Sequence, residues 1–251
     1  PEDNWPGAIC VDFMHDQVGP DGKSTQKLDD RKWILGTDHL REKLQATEWA
    51  TRQTVQKSNI FFTCAYINFG SKTRDKMSVC ATSILWADVD YVTDNYVTDL
   101  LHKCPLQPTM VNRTGDGIHL FWRLRTIYNE VEPKGKVEQA LAKVHRWVPG
   151  DKTHNINRIL RVAGTYNTKS KYGDEPPKCV TVVYNDIDYT LDEVLQVPIS
   201  IYQIRLSDSF KEKYILDGHS PIDKADGTPD RSARDFVIAK EMLSKKHTRE
   251  E

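Results

Sequence analysis

The chain has 251 residues, enough for one large domain or two small ones around a sizeable buried core. Apolar residues are 38% and charged residues 28%, and 35 Lys+Arg against 36 Asp+Glu leave a net charge of −1. That balance excludes a polycationic tail protein but not nucleic-acid binding, which depends on local charge on one face. No apolar run approaches the roughly 18 residues that span a bilayer, so no membrane partner is expected. The chain opens at Pro1 without a signal peptide or initiator Met, and is expected to be a piece of something longer. Its five cysteines (Cys10, Cys64, Cys80, Cys104, Cys179) form no C-x-x-C pair. An odd, scattered set in apolar and β-branched surroundings suggests buried thiols in a reducing cytoplasm, not a disulfide framework or a structural zinc site.

In chain order, residues 1–32 carry turn signals such as Gly19-Pro20-Asp21-Gly22 and only weak periodicity. Thr37 is a candidate cap for a helix reaching about Val55. Asn59 to Asn68 reads as a strand, followed by a loop with Lys72, Arg74 and Lys76. Val79 to Val92 is nearly continuously apolar until acids appear at its end, as in a central strand covered on both faces. A helix is expected over 93–103. A hairpin follows, Thr109 to Arg113 and Ile118 to Leu124, joined by Thr114-Gly115-Asp116-Gly117. Glu132 to Val148 reads as an amphipathic helix, 154–163 as a helical turn ending at Gly164, and Cys179 to Asn185 as a strand. The pattern weakens after Pro198. The expected organisation is an α+β body over 1–200, a polar linker over 201–229, and a C-terminal helical appendix over 230–251.

Three features carry chemistry. Asp88 and Asp90 stand two apart on a strand, so their carboxylates share a face. Like charges so placed oppose burial unless a cation lies between them, and hard oxygen donors suit Mg²⁺ or Mn²⁺. The competing reading is an acidic strand end in water, made less favourable by Leu85, Trp86 and Val89 around the pair. The second feature is the glycine turn that delivers His119, a group able to donate to a phosphate oxygen, or otherwise a satisfied core histidine. The third is the stretch 152–172, with Lys152, Arg158, Arg161, Lys169 and Lys171 and no acid. Basic and rich in Thr, Asn and Gly, it suits polyphosphate or a nucleic-acid backbone, while Ile159, Leu160, Val162 and Ala163 tie it to the core. Tyr91 and Tyr166 flank these motifs as candidates to stack on a base or sense a sugar, with core packing the favoured alternative.

Taken together, Asp88/Asp90, then His119 after 31 residues, Asp151 after 32 more, and Arg161 before Gly164-Thr165-Tyr166-Asn167-Thr168-Lys169 resemble the archaeo-eukaryotic primase (AEP) superfamily. The likeness is to its RepB-like branch of phage and plasmid primase-polymerases, and covers about residues 59–195. Two positions depart from that pattern: Gly117 stands where Ser is frequent, and Ala163 where Pro is usual. The segment Arg231 to Phe236 resembles the helix that joins such primases to a helicase.

The resemblance implies an AEP/RRM-like catalytic core, a mostly antiparallel sheet flanked by helices. It implies a nucleotidyltransferase for replication of a mobile element, in a prokaryotic or phage-infected cell. Asp88, Asp90 and Asp151 would hold two Mg²⁺ or Mn²⁺ ions, with no zinc. His119, Arg161, Lys169, Thr165 and Asn167 would bind the NTP or dNTP. Lys72, Arg74, Lys76 and Arg158 would touch a single-stranded DNA template, and a helicase domain or protein is a further expected partner. The alternatives are a catalytically inactive replication initiator and a metal-dependent nuclease.

Overall fold

A computed structural model describes residues 6–21, 24–34, 52, 57–129, 135–148 and 155–198. Asp151, the linker over 201–229, the appendix over 230–251 and, Arg52 aside, the helix expected over 37–55 lie outside the described residues. The elements are β1 (Ile9–Val18), β2 (Ser24–Ile34), β3 (Asn59–Thr63), β4 (Tyr66–Ile67), β5 (Val79–Val89), α1 (Asp94–Lys103), β6 (Met110–Arg113), β7 (Ile118–Tyr128), α2 (Lys136–Trp147), β8 (Ile159–Arg161), β9 (Val180–Tyr184) and α3 (Leu191–Gln196). Single 3-10 turns occupy Lys76–Ser78 and Ser170–Tyr172.

Two sheets form, ordered β2-β1-β3-β8 and β4-β5-β7-β6-β9, and the ladders between these strands are antiparallel. The α+β class is therefore as expected, and β5 is the central strand its apolar run predicts. Its two faces have different neighbours. Leu85, Ala87 and Val89 pair with Trp122, Leu120 and Ile118 of β7, on the face where Trp122 meets Trp147 of α2 edge-on at 6.4 Å. Helix α2 forms because Val137, Ala140, Leu141, Val144 and Trp147 recur at helical spacing and all are buried. On the opposite face Trp86 and Asp88 pair with Phe121 and His119, and Phe121 packs on Phe62 of β3 at 6.1 Å between centroids. The four-stranded sheet thus covers the face of the five-stranded sheet that carries Asp88 and His119. A smaller core of Val11, Phe13, Ile34 and Ile60 backs the four-stranded sheet.

Four local readings are corrected. The stretch 1–32, expected to be turn-rich, instead contributes most of two long antiparallel strands, β1 and β2. Its signal is muted because β2 (STQKLDDRKWI) is an edge strand largely exposed to water, with an extra residue, Asp29, bulged from the ladder, and β1 is buried on both faces from Cys10 to Met14, so it shows no alternation. The strand expected over 59–68 breaks at Cys64-Ala65 into β3 and β4, which enter different sheets. Residues 159–161, read as part of a helical turn, are a strand because Phe61, Phe62 and Thr63 offer them a ladder. A short helix at 191–196 went unread, although Thr190 and Glu193 form a reciprocal capping box at its start. All five cysteines are free thiols and four are buried, as their surroundings suggested. No helix among the described residues is long and apolar enough to cross a membrane.

Candidate active site

Asp88 lies one residue from the end of β5 and Asp90 one residue beyond it, so the pair sits where the ladder to β7 opens. The Asp88 side chain is 14% exposed. Arg158 Nη2 donates to its Oδ2 at 2.7 Å, and its Oδ1 lies 3.6 Å from His119 Nε2, too far for a hydrogen bond. Burial pushes the His119 pKa down to about 4; Asp88 opposes this, and Arg161, Arg158 and Lys169 add to it. The imidazole is therefore neutral at physiological pH, and its Nδ1 is buried with no hydrogen-bond partner among the described residues.

The turn that delivers His119 needs both its glycines. Gly115 has φ 111°, where L side chains are strained. At Gly117 the constraint is space, since a Cβ would stand 2.7 Å from the Val89 carbonyl oxygen and 3.1 Å from Asp90 Oδ1. The departure from Ser at this position thus has a physical reason in this chain. The turn closes through Thr114 N–H to Gly117 O at 2.9 Å, and Val92 N–H ties it to the end of β5 through Asp116 O at 2.7 Å.

The basic segment divides into buried supports and exposed cations. Arg161, 2% exposed, donates to Asn59 Oδ1, Tyr166 O and Asn167 Oδ1, and burial lowers its pKa to about 10. Thr165 Oγ1 donates to Val162 O, and Asn167 Nδ2 to Thr114 O. Arg161 and Asn167 therefore brace the glycine turn from behind. Lys169 and Lys171 are exposed at the rim. Lys171 pairs with Asp116 at 2.7 Å, which raises the lysine pKa to about 12 and lowers that of Asp116.

These groups line one cavity of about 320 Å³, walled by Asp88, Asp90, His119, Arg158, Arg161, Asn167, Lys169 and Lys171, with Gln26, Phe61 and Tyr172 among the remainder. Four of the five anticipated nucleotide-binding residues wall it, and Thr165 sits behind. Lys171, Tyr172 and Gln26 were not singled out. Lys171 stands in the basic run that flags the region, whereas Gln26 comes from the unread hairpin and has no sequence signal. Arg158 faces the cavity, unlike the other anticipated template contacts: Arg74 Nε donates to buried Asp12 at 2.7 Å, Lys76 pairs with Glu138, and Lys72 is exposed on the same loop. Core packing of the two tyrosines is overturned, as Tyr91 is 80% and Tyr166 42% exposed. Tyr91 also adopts φ 55° directly after Asp90, with Lys171 Nζ 5.3 Å from its ring centre. That a largely buried carboxylate, Asp88, with the exposed Asp90 beside it, already attracts a cation here makes the donor set suitable for a divalent ion. Among the described residues no cluster of three or more His, Cys, Asp or Glu forms a metal site; Asp151, the third expected ligand, lies outside them.

No family model matches the chain, and no curated protein does. Among solved structures it is similar to the AEP domain of the cyanophage S-2L primase-polymerase, with 14% identity and a TM-score of 0.56 over 77% of this chain and 90% of that one. A weaker likeness, TM-score 0.44 and 13% identity, is to the primase RepB′, over 96% of this chain and 65% of that one. With two antiparallel sheets, the four-stranded one covering the face of the other that carries Asp88 and His119, this chain shares the fold of that phage AEP domain.

Proposed function

We propose that the cavity is the active site of a template-directed nucleotidyltransferase, a DNA primase-polymerase that serves replication of a phage, plasmid or other mobile element. The observation that carries this reading is the convergence of Asp88, Asp90 and His119 with four cations, Arg158, Arg161, Lys169 and Lys171, around one cavity. The fold shared with a primase-polymerase domain supports it. Two Mg²⁺ or Mn²⁺ ions held by Asp88, Asp90 and Asp151 would supply a more acidic 3′-hydroxyl and a stabilised leaving pyrophosphate. His119, neutral at pH 7, donates one hydrogen bond to a phosphate oxygen without a charge that varies with physiological pH. Lys169 and Lys171 at the rim offset the negative charge that grows on the triphosphate, and Arg161 adds positive potential from behind the turn it braces. Single-stranded DNA template and an NTP or dNTP are the ligands of this reading, and a helicase domain or protein its further partner.

The test offers single-stranded template, with and without primer, Mg²⁺ or Mn²⁺, and ribo- or deoxynucleotides. Products are compared between the wild type and Asp88→Asn with Asp90→Asn. Template-dependent products that vanish in the double variant, with its melting temperature within a few degrees of wild type, are expected. Incorporation retained by the double variant overturns the assignment; degradation of labelled DNA without nucleotides turns it into a nuclease.

A further inference from the structure

Asp88 already has a cation, and the manner of its binding is informative. Arg158 meets it through a single bond, Nη2 to Oδ2 at 2.7 Å, although a guanidinium offers five donors in a fork that suits two-point contact. Arg158 Nε is buried without any hydrogen-bond partner among the described residues. The other arginines on this sheet behave differently. Arg31 grips buried Asp12 with Nε and Nη2 at 2.6 and 3.0 Å, and Arg161 has three bonds to fixed acceptors. Those two are anchored, whereas Arg158 is held at one point, 30% exposed and facing the cavity.

We infer that Arg158 is an exchangeable counter-cation for Asp88: it holds the carboxylate before a divalent ion arrives, yields Oδ2 to that ion, and then offers its guanidinium to phosphate in the same cavity. This rests on Asp88 being a metal ligand, as in the function proposed above. Before exchange, Arg158 offsets a carboxylate that would otherwise sit mostly buried with no positive partner at bonding distance. It also opposes the metal twice, by covering the oxygen and by placing a positive charge beside it. After exchange, its unpaired donors acquire acceptors. Metal and triphosphate then favour each other through Arg158, and by linkage the effect is reciprocal.

The experiment uses the full chain without nucleotide. Mn²⁺ affinity is measured calorimetrically for wild type, Arg158→Met, Arg158→Lys and Asp88→Asn, alongside melting temperatures in EDTA and in saturating Mn²⁺. Arg158→Met is expected to bind Mn²⁺ on the order of tenfold tighter than wild type, as for loss of a partly buried ion pair that competes with the metal. Arg158→Lys, which keeps the charge, stays near wild type. Arg158→Met also melts lower in EDTA, and Mn²⁺ restores most of that loss. Unchanged or weaker Mn²⁺ binding, or an equal melting loss with and without Mn²⁺, overturns the inference and leaves Arg158 merely structural. Asp88→Asn that binds Mn²⁺ like wild type overturns instead the reading of Asp88 as a ligand. With inorganic tripolyphosphate in EDTA, Asp88→Asn is expected to bind tighter than wild type, and the gain to disappear when Arg158→Met is added. A gain that survives in the double variant refutes the transfer to phosphate.

Discussion

Gly117→Ala perturbs the site without removing any group from it. The added methyl would stand 2.7 Å from the Val89 carbonyl oxygen and 3.3 Å from the Asp90 Cα, where ordinary contact begins at about 3.4 Å. The closest of these atoms, the Val89 carbonyl oxygen, is backbone, so no side-chain rotation relieves the clash. The glycine turn and the end of β5 must separate by about 0.7 Å. Val89 is the register partner of Ile118, so that opening moves Asp90 relative to His119. Overpacking of this size costs about 1–3 kcal/mol. Displacement of catalytic groups by about 1 Å costs on the order of 10²-fold in rate. Urea denaturation of the variant is expected to show a 1–3 kcal/mol loss by this same measure of overpacking, roughly. Nucleotide incorporation is expected to fall more steeply than stability does. Gly117→Ser should behave no better, since its Cβ occupies the same place. A variant with wild-type stability and wild-type incorporation would refute the spatial argument and make the glycine incidental.

Two further outcomes concern stability. Asp12 is fully buried and holds Arg31 and Arg74 together, and their bonds outweigh the upward push of burial to keep its carboxyl below the ordinary range. Asp12→Ala is expected to cost about 2–4 kcal/mol in urea denaturation, at the low end for a broken buried pair because both arginines are partly exposed; a loss below 0.5 kcal/mol, roughly the surface value, contradicts it. The second is a pH dependence from His119, whose folded pKa of about 4 lies below its ordinary 6.5. The unfolded chain takes up the proton first, so stability is full above about pH 6.5 and falls by about 3 kcal/mol as pH drops toward 4. Asp12 adds its own loss only as pH falls below the ordinary carboxylate pKa. His119→Gln should flatten the first phase, and an unchanged slope in that variant assigns the phase elsewhere.

The sequence by itself determined the motif-bearing half of the body. The apolar run of β5, the hairpin at Thr114-Gly115-Asp116-Gly117 and the period of α2 are local signals, because burial on both faces, a turn that needs glycine and a helical stripe each leave a pattern in consecutive residues. The same logic placed Asp88 and Asp90 on one face and drew attention to His119 and to the basic run. Only the tertiary structure decided the rest. The hairpin β1–β2 is hidden because an exposed edge strand needs no apolar alternation, and Gln26 reaches the cavity from it. Strand β8 exists because β3 offers a ladder, which no three-residue propensity can announce. The basic run looked uniform, yet contact separates it: Arg161 and Asn167 are buried braces, Arg158 is held on Asp88, and Lys169 and Lys171 stand at the rim. Composition counts charge along the chain, while the partner that each charge meets can lie more than a hundred positions away. That is why the near-neutral total concealed an acidic pair and a set of cations brought together around one cavity.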